Sequence, residues 1–284
     1  MKFVEIDGVK YEVLSPWRNF LKIITNPWRN RFAHVLVLKS IMRKSGSPMA
    51  LESMQRPGGW RAMEIAYENA EPLNRIDALA CRYNPFPMAL RNRKRYVTAK
   101  IGALINEFSE SNEHIHLVGV GAGPGTNTQE GILMSGIDKE RVTAYLIDMD
   151  SDAFDYGREA AKKRGLQDRV HYVEGDARAI RKHLPQGIQP HICKMIGIVE
   201  YLTDEQLLEI LEAIREVLVP GGAVITHSLE DYHNSGPFLR RILNWNIHTR
   251  TEQATIDILK QAGFDELESF TTPMNIYSVI TARK

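Results

Sequence analysis

The chain has 284 residues, 43% hydrophobic and 25% charged, with a formal net charge of +1, a composition that allows one good-sized core plus an extra subdomain and excludes disordered and fibrous folds. The longest apolar runs, such as 33–38 and 223–226, fall short of the ~20 residues that cross a bilayer, and the N-terminus lacks a signal peptide's apolar core, so a cytoplasmic protein with no membrane partner is expected. Cys81 and Cys193 are too few for a disulfide framework and lie in no metal-binding spacing, so both read as buried small hydrophobes and no metal is expected.

The net charge conceals an asymmetry. Residues 1–110 carry 18 Lys and Arg against 10 Asp and Glu, and residues 111–284 carry 18 against 25. Dispersed cations of this kind point to docking between the two parts before they point to a nucleic acid or an acidic substrate.

In chain order, 1–14 reads as a small hairpin turning at Asp7-Gly8. Apolar positions then suggest short helices over 17–24, 32–42, 60–70, 73–82 and 89–108. A boundary falls near residue 112, where regular alternation of β-rich runs with amphipathic stretches begins and reads as repeated βα units. Runs at 115–120, 142–147, 170–173, 192–198 and 223–226 fit buried parallel strands. Before the last of these, Thr203 to Gln206 forms a capping box for a helix whose leucines and isoleucines recur at helical spacing, and Pro220-Gly221-Gly222 ends it. A further helix is expected over 251–262, with Thr249 to Glu252 as its capping box and Gly263 as its stop. Residues 264–272 and 276–282 close the chain as an antiparallel hairpin.

The chemistry concentrates at strand ends. In Gly119-Val120-Gly121-Ala122-Gly123-Pro124-Gly125 the glycines let backbone approach a ligand closely, and the N–H groups of the following helix can meet polar or anionic atoms. The second strand ends at Asp148, about 20 residues on, where nucleotide-binding α/β folds hold a ribose. Asp148 could instead cap the next helix, although Asp150 or Ser151 can supply that cap. Asp176, just past the third strand, can accept from an adenine amino group or cap the turn that follows.

These elements, with the stretch from Gly197 to Asp204 and Val217-Leu218-Val219-Pro220-Gly221-Gly222, resemble in order and spacing the class I S-adenosylmethionine-dependent methyltransferases over residues 112–284. The resemblance implies an α/β, Rossmann-like, seven-stranded and mostly parallel sheet with an antiparallel last strand. Residues 1–111 would then form a mainly helical N-terminal cap. It further implies that Gly121, Ala122, Gly123 and Gly125 approach the methionine part of S-adenosyl-L-methionine. Asp148 with Met149 would take the ribose, and Asp176 with Ala177 the adenine, while Gly197 and Ile198 would pass the sulfonium. Two places depart from the family's usual pattern: Gly119 and His191 stand where acids are common. Glu130 or an N-terminal residue is a candidate to replace the first acid.

Methyl transfer is an in-line displacement, so the protein aligns the acceptor and, for a hydroxyl, removes a proton. Glu200, Tyr201 and His227 are the candidate catalytic residues, against readings as packing or solvated groups. Tyr83, Arg93, Tyr232 and Trp245 are candidate substrate contacts. Arg93 or Arg95 could hold the cofactor's carboxylate through a bidentate pair, unless the basic run 91–95 is a solvated helix face. Residues 231–250 read either as an aromatic lid or as a helix burying Phe238, Ile242 and Trp245. The expected function is methylation of a small-molecule acceptor enclosed by the cap. Aminopropyl or aminocarboxypropyl transfer is the alternative on the same fold, and a nucleic-acid or protein methyltransferase ranks third, with nucleic acid not expected as a partner.

Overall fold

The computed structural model describes residues 2–284, so the Met1 of the expected hairpin lies outside the described residues. Two compact units emerge from the chain. The first comprises 1–95, 229–249 and 271–277, and the second 96–228, 250–270 and 278–284. The sequence division at 111/112 differs because the first unit is assembled from three separated stretches, which no local pattern announces.

The second unit carries the sheet. Strands β3 (Ile115–Val120), β4 (Val142–Asp148), β5 (Val170–Glu174), β6 (Ile192–Met195), β7 (Ala223–Leu229), β8 (Asp265–Thr271) and β9 (Tyr277–Arg283) stand in the order β5-β4-β3-β6-β7-β9-β8, mostly parallel with the last strands antiparallel. β3 pairs in parallel with β4 on one side and β6 on the other. The order reverses beside β3, so a crevice opens at the strand C-termini there, the usual ligand position in such sheets.

Helices cover both faces, α8 (Phe154–Lys163) and α9 (Ile180–His183) among them. Val118, Val120 and Met195 pack with Leu207, Leu211 and Ile214 of α10 (Asp204–Val217) and Leu259 of α12 (Glu252–Gln261). On the other face Leu117, Ala144 and Ile225 pack with Val97, Ile101 and Leu104 of α6 (Pro85–Ser109) and Ile132 of α7 (Thr126–Ser135). Strands buried on both faces explain the near-continuous apolar runs. The capping box at Thr203 and Gln206 forms as expected. For α12 the cap is Thr251, accepting from Ala254 N–H, rather than Thr249.

The first unit opens with a hairpin of β1 (Lys2–Ile6) and β2 (Val9–Val13), turning through Asp7 and Gly8, both at positive φ. Helices α1 (Pro16–Phe32), α2 (Val35–Ser45), α3 (Pro48–Gln55), α4 (Trp60–Glu68) and α5 (Arg75–Asp77), the last continued by a π-helical turn to Arg82, follow. The expected helix 17–24 extends to Phe32 through Pro27, and α3 lies where none was expected. Phe86, Trp245 and Tyr277 meet at the core, with Phe86 edge-on to Trp245 at 5.6 Å.

Two histidines make the fold acid-sensitive. Burial, reinforced by neighbouring histidines for His116 and by Lys22 for His233, pushes each down from 6.5 to about 4. The folded chain therefore resists their protonation while the unfolded chain does not. Stability is fully present above about 6.5 and declines as pH falls toward about 4. Melting temperatures measured across that window should fall on acidification, and a His116→Gln variant should show a shallower decline.

Candidate active site

A cavity of about 350 Å³ opens in the second unit at the C-terminal ends of β3, β4 and β5, lined by Gly121, Asp148, Met149, Asp176, Ala177, Ile198 and Tyr201 among others. Its size suits a nucleoside-sized ligand. The floor is set by the loop from β3 to α7. Gly121 has φ +57°, and a Cβ there would fall 2.0 Å from Ile198 Cγ2. Only glycine lets this strand-end loop lie under Ile198. α7 begins after Gly125, whose position supplies no side-chain cap hydrogen bond to the helix.

Asp148 clamps this loop. Its Oδ2 accepts from Gly123 N–H at 2.7 Å and its Oδ1 from Asp150 N–H at 2.9 Å. The helix cap that competed for it belongs to Asp150, which accepts from Asp152 N–H. Asp176 borders the cavity and caps the next turn by accepting from Arg178 N–H. The Arg178 guanidinium, also at the cavity, donates to Asp176 and holds its carboxyl below the usual range. Gly197 adopts φ +93° where the chain leaves β6.

The places of the two expected acids are filled otherwise. A Cβ at Gly119 would lie 2.8 Å from Leu146 Cδ2, so the packing between β3 and β4 leaves no room for a carboxylate. Opposite Gly119 in register stands Lys194 of β6, buried and donating to Asn127 Oδ1 at 3.2 Å. Glu130, the candidate to replace the first acid, pairs with Arg164 at 3.1 Å. His191 Nδ1 accepts from His116 N–H at 3.1 Å.

Glu200 and Tyr201 sit in the turn after β6. Tyr201 is 40% exposed at the cavity wall, whereas Glu200 is buried and its Oε2 lies 3.2 Å from Nε2 of the fully buried His227. Sequence order separates these partners by more than two dozen residues, and parallel pairing of β6 with β7 brings them together. Arg250, which the sequence reading passed over, secures the same turn: its Nη1 donates to Val199 O at 2.9 Å, its Nη2 to Leu202 O, and its Nε to Asp204 Oδ1 at 2.6 Å. Arg250→Ala removes a charged donor from each of these carbonyls and should cost roughly 2–4 kcal/mol in urea unfolding.

Four residues were expected as substrate contacts: Tyr83, Arg93, Tyr232 and Trp245. All four lie in the first unit. Trp245 is core rather than lid, because α11 (Gly236–Leu243) turns Ile242 inward and ends at Asn244 in the left-handed region. Arg93 is fully buried with its guanidinium 4.3 Å from the Tyr277 ring centre. Arg95 donates to Glu12 at 2.9 Å. The basic run is thus not a solvated face, since folding turns these cations onto Tyr277 and Glu12. Tyr83 and Tyr232 are partly exposed, Tyr232 lying edge-on to His233.

The fold recurs widely among solved structures. A Bordetella parapertussis protein described as a possible exported protein superposes with a TM-score of 0.71 at 15% identity, over 96% of this chain and 99% of its own. A Nostoc punctiforme protein described as a "putative O-methyltransferase" gives 0.53 at 16% identity, over 83% and 71%. Magnesium protoporphyrin IX methyltransferase from Synechocystis, with bound S-adenosylhomocysteine, gives 0.55 at 11% identity, over 87% and 99%. No curated protein matches the chain in sequence. A family described as "Putative methyltransferase" matches residues 88–284, beginning well before the 112 expected. The chain belongs to this family and is an S-adenosylmethionine-dependent methyltransferase of the class I fold.

Proposed function

We propose that the cavity beside Gly121 takes S-adenosylmethionine and that the enzyme methylates a small-molecule acceptor with a hydroxyl or amine. The observation that carries this reading is the shared cavity wall of Gly121, Asp148, Asp176 and Tyr201. The residues fit the group. A loop that tolerates no Cβ, an uncapped helix N-terminus and a strand-end carboxylate suit an amino acid, a ribose and their polar atoms. Asp148 has lone pairs beyond those used by Gly123 and Asp150, enough to accept from ribose hydroxyls. When bound, the cofactor supplies an electrophilic methyl on a sulfonium.

The chain's own residues then align the acceptor and manage its proton. Tyr201, at the cavity wall, orients the acceptor. The paired Glu200 and His227 behind it receive the proton that a hydroxyl acceptor releases. The magnesium protoporphyrin enzyme of similar fold holds S-adenosylhomocysteine, which supports the choice of cofactor. A cytoplasmic setting is part of the same reading.

Titration with S-adenosylhomocysteine, followed by product analysis against a panel of small hydroxyl and amine acceptors, tests it. Micromolar binding and release of S-adenosylhomocysteine are expected. Release of methylthioadenosine would instead establish aminopropyl or aminocarboxypropyl transfer. Glu200→Gln should lower kcat by roughly 100-fold with little change in cofactor affinity.

A further inference from the structure

α1 is folded inside out. Its inward side is polar: Asn26 and Asn30 are buried and donate to the carbonyls of His233 and Asn234, at 2.8 and 2.5 Å, and Asn19 Oδ1 lies 2.7 Å from His233 Nε2. Its outward side is apolar. Trp17, Phe20, Ile24, Trp28 and Phe32 recur at helical spacing, with Trp17 66%, Trp28 68% and Phe32 68% exposed. Trp17 stacks on Phe20 and Trp28 on Phe32. Leu36, Val37 and Ile41 continue the exposure into α2. All eight of these apolar side chains are more than 40% exposed, and large apolar residues gathered on one surface in this way mark an interaction site.

The charge around this stripe has one sign. Between Glu12 and Glu52 the sequence holds Arg18, Lys22, Arg29, Arg31, Lys39, Arg43 and Lys44 and no acid. The cations crowd one another: burial, then Arg29 and Arg18, lowers the affinity of Lys22 for its proton. Two copies meeting through α1 would bring like charges together as their apolar sides closed, whereas an anionic surface would neutralise them. Exposed Trp and Phe flanked by Arg and Lys on one helix is the composition of an interfacial helix lying in a lipid headgroup layer. Among the described residues no helix is long and apolar enough to cross a membrane, and an interfacial helix needs no such length.

We propose that α1, with the start of α2, docks this enzyme on the surface of an anionic phospholipid bilayer, its tryptophans and phenylalanines in the headgroup layer and its cations on the lipid phosphates. The expectation of no membrane partner rested on the lack of a spanning segment, a criterion that does not reach a helix lying in the plane.

Co-sedimentation of the full chain with phosphatidylcholine vesicles, with and without phosphatidylglycerol, tests the proposal. Binding should require the anionic lipid, fade as salt rises, and shift tryptophan emission to the blue. Trp17→Ser with Trp28→Ser should lower partition by at least about tenfold. Neutralising Arg18, Arg29 and Arg31 to Gln should lower it on the order of fivefold per site. S-adenosylhomocysteine binding should stay unchanged in both variants, separating failure of docking from failure of the fold or of the cofactor reading. If a variant does not fold, the parent's dependence on lipid charge decides. No binding of the parent to anionic vesicles at low salt overturns the proposal. So does a dimer in sedimentation equilibrium that the double tryptophan variant converts to monomer, which would assign the stripe to a second copy.

Discussion

Gly121→Ala should abolish cofactor binding while leaving a folded but weakened protein. The added methyl meets two costs. At φ +57° an L side chain is strained, and the new Cβ would lie 2.0 Å from Ile198 Cγ2. Ile198 can relieve the clash only by moving, and it forms part of the cavity wall. A stability loss of about 2–4 kcal/mol and at least a ~100-fold loss of S-adenosylhomocysteine affinity are expected, read by urea unfolding and calorimetric titration. Adding Ile198→Ala should recover much of the stability, because the truncated side chain vacates the space. Affinity within a few-fold of the parent for Gly121→Ala would remove this loop from the cofactor site.

The second large effect lies in the first unit. Glu12 is fully buried, and its carboxylate accepts from Arg91 Nε at 2.8 Å, Arg91 Nη2 at 2.6 Å and Arg95 Nη2 at 2.9 Å. Asn92 bridges the Glu12 backbone at both N–H and C=O. Arg91→Met strips this carboxylate of its bidentate partner inside a low-dielectric core, which should cost about 3–5 kcal/mol. Removing the carboxylate as well, in Arg91→Met with Glu12→Leu, should restore a large part of the loss, because the penalty is that of a buried charge left with too little compensation. The double-mutant cycle, measured by urea unfolding, should give a coupling energy of at least about 2 kcal/mol. Additive losses would show that the pair does not act as one unit.

Much of the second unit was legible because its determinants are local. Strands buried on both faces declare themselves as apolar runs, as in Ile115 to Val120. The capping box at Thr203 and Gln206 and the glycines after β3 fix the ends of elements within a few residues. The cavity-lining carboxylates Asp148 and Asp176 were legible for the same reason, since a residue at a parallel strand's C-terminus emerges at one rim of the sheet. The Glu200 and His227 pair was legible only as two candidates, and the meeting of their side chains depends on the pairing of β6 with β7.

The sequence by itself determined the α/β class, the glycine loop after β3 and the rim position of Asp148 and Asp176, because strand and helix periodicity and turn chemistry act over a few neighbouring residues. Tertiary structure alone decided what faces what. It turned Arg91 and Arg95 from a basic run into partners of Glu12 and made Trp245 core rather than lid. It also recruited Arg250 to hold the turn at Glu200. The amphipathic pattern of α1 names two opposite faces but not which one is covered. That choice came from His233 and Asn234, some 200 residues away in sequence, whose carbonyls bind the asparagine side and leave the tryptophans outward.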